Sequence, residues 1–187
     1  MEVQELELKG VKLIIPDYYE DYRGYYSETY SSRTLEQFGI DTVFVQDGHS
    51  FTLKKNTLRG IHFQLNPKAQ TKLVRCTKGK ILDVVVDLRK DSPSFCKWIS
   101  VELNEDNKKQ ILIPKGFGHA FLTLTDNCDV QYKFDEFYEA KYDRSIAWDD
   151  QDIKILWGIK NPIISQKDSE APLLRNSDVN FSVFINK

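Results

Sequence analysis

Short runs in which apolar and polar side chains alternate recur along most of this chain, and this period of two is typical of β-strands. In one run, Leu82, Val84 and Val86 fall on one face while Asp83 and Asp87 fall on the other. Comparable runs occupy residues 11–15, 27–30, 42–46, 57–64, 71–76, 80–88, 98–103, 110–113, 119–124 and 129–137. Many short strands with little helix predict an all-β fold, and the number of runs suits a jelly-roll barrel.

Helical character is confined to one short segment, residues 31–39. It begins at Ser31, a good N-cap residue, and ends at Gly39, the residue type preferred just after a helix. The 187 residues are enough for one domain with a core, and no shift in composition divides them. We therefore predict a single domain over residues 1–187, built from strands with a few short helices.

Composition and charge argue against several other classes of protein. The formal net charge of -2 does not suit a nucleic-acid surface. Cys76, Cys96 and Cys128 are widely spaced and form no Cys-x-x-Cys pair, which argues against a disulfide framework and a zinc knuckle. The acidic N-terminus lacks the features of a signal peptide, and no apolar run approaches the ~20 residues that span a bilayer. We expect a soluble cytoplasmic protein that binds neither nucleic acid nor membrane.

Residues 57–64 combine a predicted strand with polar side chains that could serve chemistry. In a regular strand His62 would share a face with Leu58 and Gln64, and Arg59 would point to the other side. Gly60 lies between them and is the residue type that tolerates a bulge. A bulge at Gly60 would bring Arg59 and His62 to the same face.

The next run, residues 71–76, would place Lys72, Val74 and Cys76 on one face. A hairpin of the two runs would then direct His62 and Lys72 into one pocket. The alternative is that His62 is a hydrogen-bonded core residue and that the cations lie at the surface ends of strands.

These side chains suit the removal of a proton from a carbon next to a carbonyl group. Histidine exchanges protons near neutral pH and can act as the base when a carboxylate orients its second nitrogen. A cation such as Lys72 or Arg59 would stabilise the enolate that forms. Tyr132 shares a strand face with Val130 and Phe134, so its phenol could face inward and return a proton from the opposite side.

Other chemistries find less support in the sequence. His49, His62 and His119 form no His-x-His pair and have no glutamate at ligand spacing, and Lys72 and Arg59 would repel a cation. The chain also lacks Gly-x-Ser-x-Gly, Gly-x-Gly-x-x-Gly and P-loop motifs. We predict neither a metal site nor a dinucleotide site.

Eight blocks of sequence occur in a distinctive order and spacing, namely RG at 23–24, FVQD at 44–47, LRGIHFQ at 58–64, KLVR at 72–75, DVVVDLR at 83–89, IPKGFGHAF at 113–121, YK at 132–133 and KD at 167–168. In these blocks the chain resembles the dTDP-4-dehydrorhamnose 3,5-epimerase family, from about Gly10 to Leu174. The resemblance implies a cupin-type jelly roll, active as a homodimer without metal or organic cofactor. It also implies epimerisation at C3 and C5 of a dTDP-linked 4-keto-6-deoxyhexose, in the biosynthesis of dTDP-L-rhamnose or a related deoxysugar.

The resemblance assigns catalytic roles to four residues. His62 is the implied base and is held by Asp168, Lys72 lies near the developing enolate oxygen, and Tyr132 is the acid on the opposite face. From the residues alone, Asp83 is also a candidate partner for His62.

A further set of residues is implied to bind the substrate. The resemblance suggests contacts to sugar or pyrophosphate from Gln46, Arg59, His119 and Lys167, stacking on thymine by Tyr138, and contacts across the dimer from Arg23 and Glu28. Charge-assisted hydrogen bonds to phosphate and stacking of a base on an aromatic ring suit such a ligand.

The chain departs from the family pattern at three positions. Gly48 stands where Asn is usual, and Asp143 and Ser145 stand where Glu and Gly are usual. We keep Asp143 among the substrate-binding residues, but the nucleotide end of the substrate could be held differently.

Three alternative functions share this fold or these residues. A 3-epimerase would use the same residues and invert one centre, and a non-catalytic sugar-binding cupin would not need them. A sugar 3,4-ketoisomerase on the same barrel fits the set of His62, Tyr132 and Asp168 less well. The aromatic-rich residues 17–26 would either contact a ligand or partner subunit, or pack on their own domain.

Overall fold

Two antiparallel β-sheets form the body of the protein in the computed structural model, which describes residues 1–183. The larger sheet contains, in spatial order, β1 (Glu2–Glu5), β2 (Lys12–Ile15), β10 (Gln110–Ile113), β7 (Lys72–Lys78), β12 (Cys128–Phe134) and β5 (Gln46–Thr52). The smaller sheet contains β13 (Asp143–Ser145), β6 (Leu58–Gln64), β11 (Phe117–Thr123), β8 (Lys80–Asp87) and β9 (Trp98–Asn104). A separate hairpin is made by β3 (Tyr19–Asp21) and β4 (Gly24–Tyr26).

The two sheets pack face to face around an apolar core. The larger sheet contributes Val74, Ile111 and Val130, and the smaller sheet contributes Val85 and Phe121. Each of these side chains is at most 2% exposed. Burial of a large apolar side chain stabilises a fold by roughly 1.5–3 kcal/mol, so this layer holds the sheets together. The result is the jelly-roll barrel that the alternating pattern predicts.

The outer face of the smaller sheet is covered by the C-terminal part of the chain. Val86 and Leu122 pack there against Ile146, Trp157 and Phe181. This second apolar layer explains why the middle of β8 is apolar on both faces. The covering segment also carries the short helix α2 (Gln166–Ser169), which contacts β6.

The predicted helix is confirmed but is shorter than expected. Helix α1 spans Ser32–Glu36, and the Ser31 side chain accepts a hydrogen bond from the backbone N–H of Thr34 at 3.3 Å. Leu35 packs on Ile14 and Leu73, which lie on the outer face of the larger sheet. The helix therefore covers that face as the C-terminal segment covers the other.

Most of the predicted strands are confirmed to within a few residues, but two are wrong. Residues 27–30 and residues 42–45 are coil, and β5 begins only at Gln46. The pattern did not indicate β5 because Gly48 and His49 lie in its middle, and its strand form depends on pairing with β12. Besides β5, the strands and the α-helix that the sequence pattern did not predict are β1, β3, β4, β13 and α2.

No helix among residues 1–183 has the length and apolar character needed to cross a membrane.

Candidate active site

Arg59 and His62 both face the barrel interior because β6 is bulged between them. His62 lies opposite His119 on β11, whereas Arg59 lies opposite Phe121. The two positions are three residues apart on β6 but only two apart on β11, so β6 contains one extra residue. Gly60 lies in the bulge with φ +125°, and a Cβ there would be 2.5 Å from an atom of β11. Glycine is the residue type that fits this backbone. The bulge considered from the sequence is therefore confirmed.

Two details of that prediction are wrong. Leu58 does not share a face with His62, because the bulge reverses the alternation and buries Leu58 in the outer core with Ile61. The strands β6 and β7 do not form a hairpin, since they belong to opposite sheets. Lys72 nevertheless reaches His62 across the barrel, where its Nζ donates a hydrogen bond to the His62 carbonyl oxygen at 3.3 Å.

The His62 ring is oriented by Asp168, whose side chain is 3% exposed. Nε2 of His62 lies 2.6 Å from Oδ1 of Asp168. Burial alone would raise the pKa of Asp168, but the hydrogen bonds from His62, from the Gly60 N–H and from Ser165 hold that pKa below its usual range. An ionised Asp168 requires the proton of the neutral ring to be on Nε2, which leaves the lone pair on Nδ1. Asp168, and not Asp83, is the partner of His62.

Lys72 is a buried ammonium group beside this pair. Burial lowers the pKa of Lys72 to about 8, although the carboxylates of Asp143 and Asp83 oppose the shift. The side chain is 8% exposed. A cation held in such a place interacts strongly with negative charge that forms nearby, because little water screens it.

Tyr132 projects into the same interior from β12. Its ring stacks on Phe134, with centroids 5.7 Å apart, and meets the His119 ring edge-on at 6.3 Å. Val130 lies on the same inner face, as the strand alternation predicts. Burial is the main cause that raises the pKa of Tyr132, so the phenol keeps a proton that it could donate. Its hydroxyl lies 3.2 Å from Oγ of Ser50.

A second buried histidine–carboxylate pair was not predicted. His119 Nε2 lies 2.8 Å from Oδ2 of Asp83, and the two side chains are 5% and 0% exposed. Oδ1 of Asp83 has no hydrogen-bond partner among residues 1–183, so its negative charge is not fully compensated. The signal in the sequence was Asp83 in the middle of β8, on the inward face that it shares with Ile81 and Val85.

Four of the residues implied to bind substrate form a connected group beside this cluster. The Tyr138 N–H donates to Oε1 of Gln46 at 3.0 Å, and the Tyr138 hydroxyl donates to Oδ2 of Asp143 at 3.2 Å. Lys167 donates to the same carboxylate oxygen at 2.5 Å. The negative charge of Asp143 raises the pKa of Tyr138. The Tyr138 side chain is 56% exposed, so its ring is available to a ligand.

Asp143 is placed there by β13, which pairs with β6 and sets Ser145 opposite His62. Arg59 is held by β5, where its Nε donates to Oγ1 of Thr52 at 3.1 Å. Asp143 and Ser145, the two positions on β13 that differ from the family pattern, therefore both line the site. Asp143 still binds Lys167 and Tyr138.

Arg23 and Glu28 are not brought to the barrel interior. Arg23 pairs with Asp21 at 2.5 Å in the β3–β4 hairpin, and Glu28 accepts a hydrogen bond from the Thr34 hydroxyl at 2.8 Å. Both side chains are exposed. Among residues 1–183, no hydrogen bond or ion pair connects either of them to His62.

The interior therefore combines an oriented imidazole, a protonated phenol and a buried ammonium group. These groups can remove a proton from a carbon next to a carbonyl, stabilise the enolate and return a proton. Among the described residues, no three His, Cys, Asp or Glu side chains are placed to hold a metal ion. Fold and site together define an acid–base isomerase built on a jelly roll.

Comparison with known proteins agrees with this class. A sequence profile of dTDP-4-dehydrorhamnose 3,5-epimerases matches residues 5–176. The dTDP-4-dehydrorhamnose 3,5-epimerase of Shigella flexneri is 43% identical over 169 residues, which cover 90% of this chain and 93% of that protein. The chain belongs to the dTDP-4-dehydrorhamnose 3,5-epimerase family and is an epimerase with a cupin-type fold.

Solved structures of similar proteins support the same assignment. The dTDP-4-dehydrorhamnose 3,5-epimerase of Bacillus anthracis, with TDP and PPi bound, has a TM-score of 0.90 and 45% identity, and the match covers 92% of this chain and 98% of that one. The dTDP-6-deoxy-D-glucose-3,5-epimerase of Legionella pneumophila, in complex with dTDP-4-keto-L-rhamnose, has a TM-score of 0.90 and 36% identity, covering 95% and 94%. A 3'-monoepimerase from Streptomyces bikiniensis, in complex with dTDP-quinovose, has a TM-score of 0.86 and 32% identity, covering 91% and 87%.

Proposed function

We propose that this epimerase inverts C3 and C5 of a dTDP-linked 4-keto-6-deoxyhexose on the way to dTDP-L-rhamnose or a related deoxysugar. The observation that carries the proposal is the His62–Asp168 pair beside buried Lys72, with Tyr132 in the same barrel interior. The nucleotide sugars bound by similar proteins support the class of substrate.

Each inversion begins when Nδ1 of His62 takes the proton from a carbon next to the ketone. The C–H electron pair becomes the enolate, and ionised Asp168 stabilises the imidazolium. The Lys72 ammonium and the His119 ring stabilise the enolate oxygen. Tyr132 then donates its proton to the same carbon from the opposite side, which leaves a phenolate. One proton leaves the carbon and one returns, so the step needs no oxidant or reductant.

The nucleotide end of the substrate would lie along the connected group of Gln46, Tyr138, Asp143 and Lys167. The exposed ring of Tyr138 can stack on thymine, and Lys167 together with Arg59 supplies positive charge for the pyrophosphate. Asp143 holds both Tyr138 and Lys167, so it acts as a positioning residue at this end.

We also propose a homodimer in which Arg23 and Glu28 of one copy complete the site of the other. The β3–β4 hairpin exposes 69%, 97% and 69% of Tyr19, Tyr22 and Tyr26, and exposed aromatic surface of this extent favours an interface. Sedimentation analysis would contradict the dimer if the active protein had only the monomer mass of 21.8 kDa.

Inversion of C3 alone is the second candidate function, and the likeness to the Streptomyces bikiniensis 3'-monoepimerase supports it. The same His62 and Tyr132 would act in either case. The outcome depends on whether the sugar ring turns to present C5 before the product leaves.

Incubation with dTDP-4-keto-6-deoxyglucose in deuterated water tests the proposal. Two inversions should give deuterium at both C3 and C5, detected by NMR and mass spectrometry, with the L-sugar as product. Label at C3 alone would instead establish the 3-epimerase. Absence of label under conditions in which the Shigella flexneri relative works would reject this substrate and favour another nucleotide sugar or a non-catalytic sugar-binding protein.

A pH profile should report the charge of Lys72. The protonated amine is the active form, so kcat/KM should fall as the pH rises through about 8, where burial places the pKa of Lys72. Lys72→Arg keeps a positive charge to beyond about pH 12, so this descending limb should disappear even if the rate at neutral pH is lower. A limb near pH 8 that persists in the arginine variant would assign it to another group.

We further propose that residues 1–187 form one domain that works in the cytoplasm. The packing of the C-terminal segment on the smaller sheet supports a single domain. The free thiols of Cys76, Cys96 and Cys128 suit a reducing compartment. Limited proteolysis that released two stable fragments would contradict the first statement, and recovery of the protein outside the cytoplasm on cell fractionation would contradict the second.

A further inference from the structure

Residues on the inner face of β5 contact the groups around Tyr132, the proposed acid. Gln46 binds the Tyr138 N–H, and Thr52 binds the Arg59 guanidinium. Between them, Ser50 is within hydrogen-bond distance of the Tyr132 hydroxyl, with the two oxygens 3.2 Å apart. No second hydrogen-bond partner of that hydroxyl is found among residues 1–183.

The Tyr132 ring and its hydroxyl are held by different contacts. Gly48 lies directly opposite Tyr132, and a Cβ on Gly48 would come within 2.9 Å of the Phe134 ring. That space is therefore used by Phe134, which stacks on the Tyr132 ring with an interplanar angle of 9°. Packing thus fixes the plane of the Tyr132 ring, and the hydrogen bond with Ser50 fixes the position of the Tyr132 hydroxyl, which carries the proton.

This hydrogen bond matters most after the proton has been given away. Breaking the Tyr132 O–H bond leaves a phenolate that is largely out of water, and burial opposes that charge. Burial raises the pKa of Tyr132, whereas the Ser50 hydroxyl and the Arg59 charge act in the other direction. A hydrogen bond to a charged group is about twice as strong as a neutral one, so the Ser50 hydroxyl favours the state in which the proton has moved to carbon.

We propose that Ser50 is a positioning residue for the return of the proton, acting through the Tyr132 hydroxyl and not on the first proton abstraction. The inference rests on the proposed epimerase function and concerns its second half. Ser50 and Tyr132 are both half-buried, so the phenol can regain its proton from solvent on this side after each turnover.

The experiment measures two rates for each variant in deuterated water with dTDP-4-keto-6-deoxyglucose. The first is the rate of deuterium exchange at C3 and C5, which measures proton removal by the base His62. The second is the rate at which the inverted sugar forms, which measures proton return by the acid Tyr132. Ser50→Ala should lower epimer formation about tenfold and leave exchange within about twofold, because a hydrogen bond to a charged group is lost. Ser50→Thr should retain most of the epimer formation, and Ser50→Val, of the same shape as threonine, should not.

The double variant with Tyr132→Phe separates this role from a general effect on the fold. If Ser50 acts through the hydroxyl, Ser50→Ala should have no further effect in the Tyr132→Phe background. Ser100→Ala, at an exposed strand position on β9, is the matched control and should behave as the parent. Equal loss of exchange and epimer formation in Ser50→Ala, or equal rates in Ser50→Thr and Ser50→Val, would overturn the inference. Inactivity of the parent would instead reject the proposed function.

Discussion

Replacing His62 with alanine is expected to lower kcat about 10²- to 10⁴-fold and to stop deuterium uptake at both C3 and C5. Nδ1 of His62 is left free to act as the base, because Nε2 is held 2.6 Å from ionised Asp168. Without the imidazole, ionised Asp168 is a weak base because its pKa lies below the usual range, while Lys72 is mostly protonated at neutral pH and Tyr132 is kept protonated by its raised pKa. None of the three is an effective base for the first proton.

His49 provides a matched control for this substitution. Its Nε2 lies 2.7 Å from Asp129, so it forms the same kind of pair, but its side chain is 56% exposed and lies on the other face of β5 from Ser50. His49→Ala should therefore keep both deuterium exchange and epimerisation near the parental rates. Parental rates in His62→Ala, or equal losses in both variants, would show that the base has been assigned wrongly.

Replacing Tyr132 with phenylalanine should separate the two proton transfers. Formation of the inverted sugar should fall about 10²- to 10⁴-fold, because no acid remains on the face opposite His62. Deuterium exchange with retained configuration should continue, because His62 can still remove a proton and return one to the same face. The ring itself remains stacked on Phe134, so little loss of stability is expected.

Tyr30→Phe is the control for loss of a tyrosine hydroxyl. Tyr30 packs on Phe44, away from the barrel interior, and both rates should stay parental. If Tyr132→Phe lost exchange and epimerisation in the same proportion, the phenol would be needed before or during the first proton transfer. The separation of base and acid would then be incorrect.

Most strands of the fold could be predicted from the sequence, and the exceptions have a physical cause. Strands such as β8 and β10 carry apolar side chains that a buried face requires, so their pattern is visible locally. The edge strand β5 carries polar side chains and Gly48, and it becomes a strand by pairing with β12. The coil at residues 27–30 shows the converse: Thr29 and Tyr30 favour strands, but this segment pairs with no other strand among residues 1–183 and stays coil.

The candidate site was predictable to the extent that it depends on neighbours in sequence. Gly60 between Arg59 and His62 was enough to suggest the bulge that turns both inward. The sequence did not reveal that Asp83 would pair with His119, because Asp83 could equally have faced His62. Nor did it indicate Ser50, which lies in a strand that the pattern missed.

By itself, the sequence determined the strand composition, the set of acid–base side chains and the family to which the chain belongs. Alternation along a strand is a local property, and each side chain carries its chemistry wherever it lies. Only the tertiary structure decided which groups meet. His62 and Asp168 are 106 residues apart, and Lys72 reaches His62 from the opposite sheet. Such contacts depend on strand register and on the packing of one sheet against another, which local spacing does not encode.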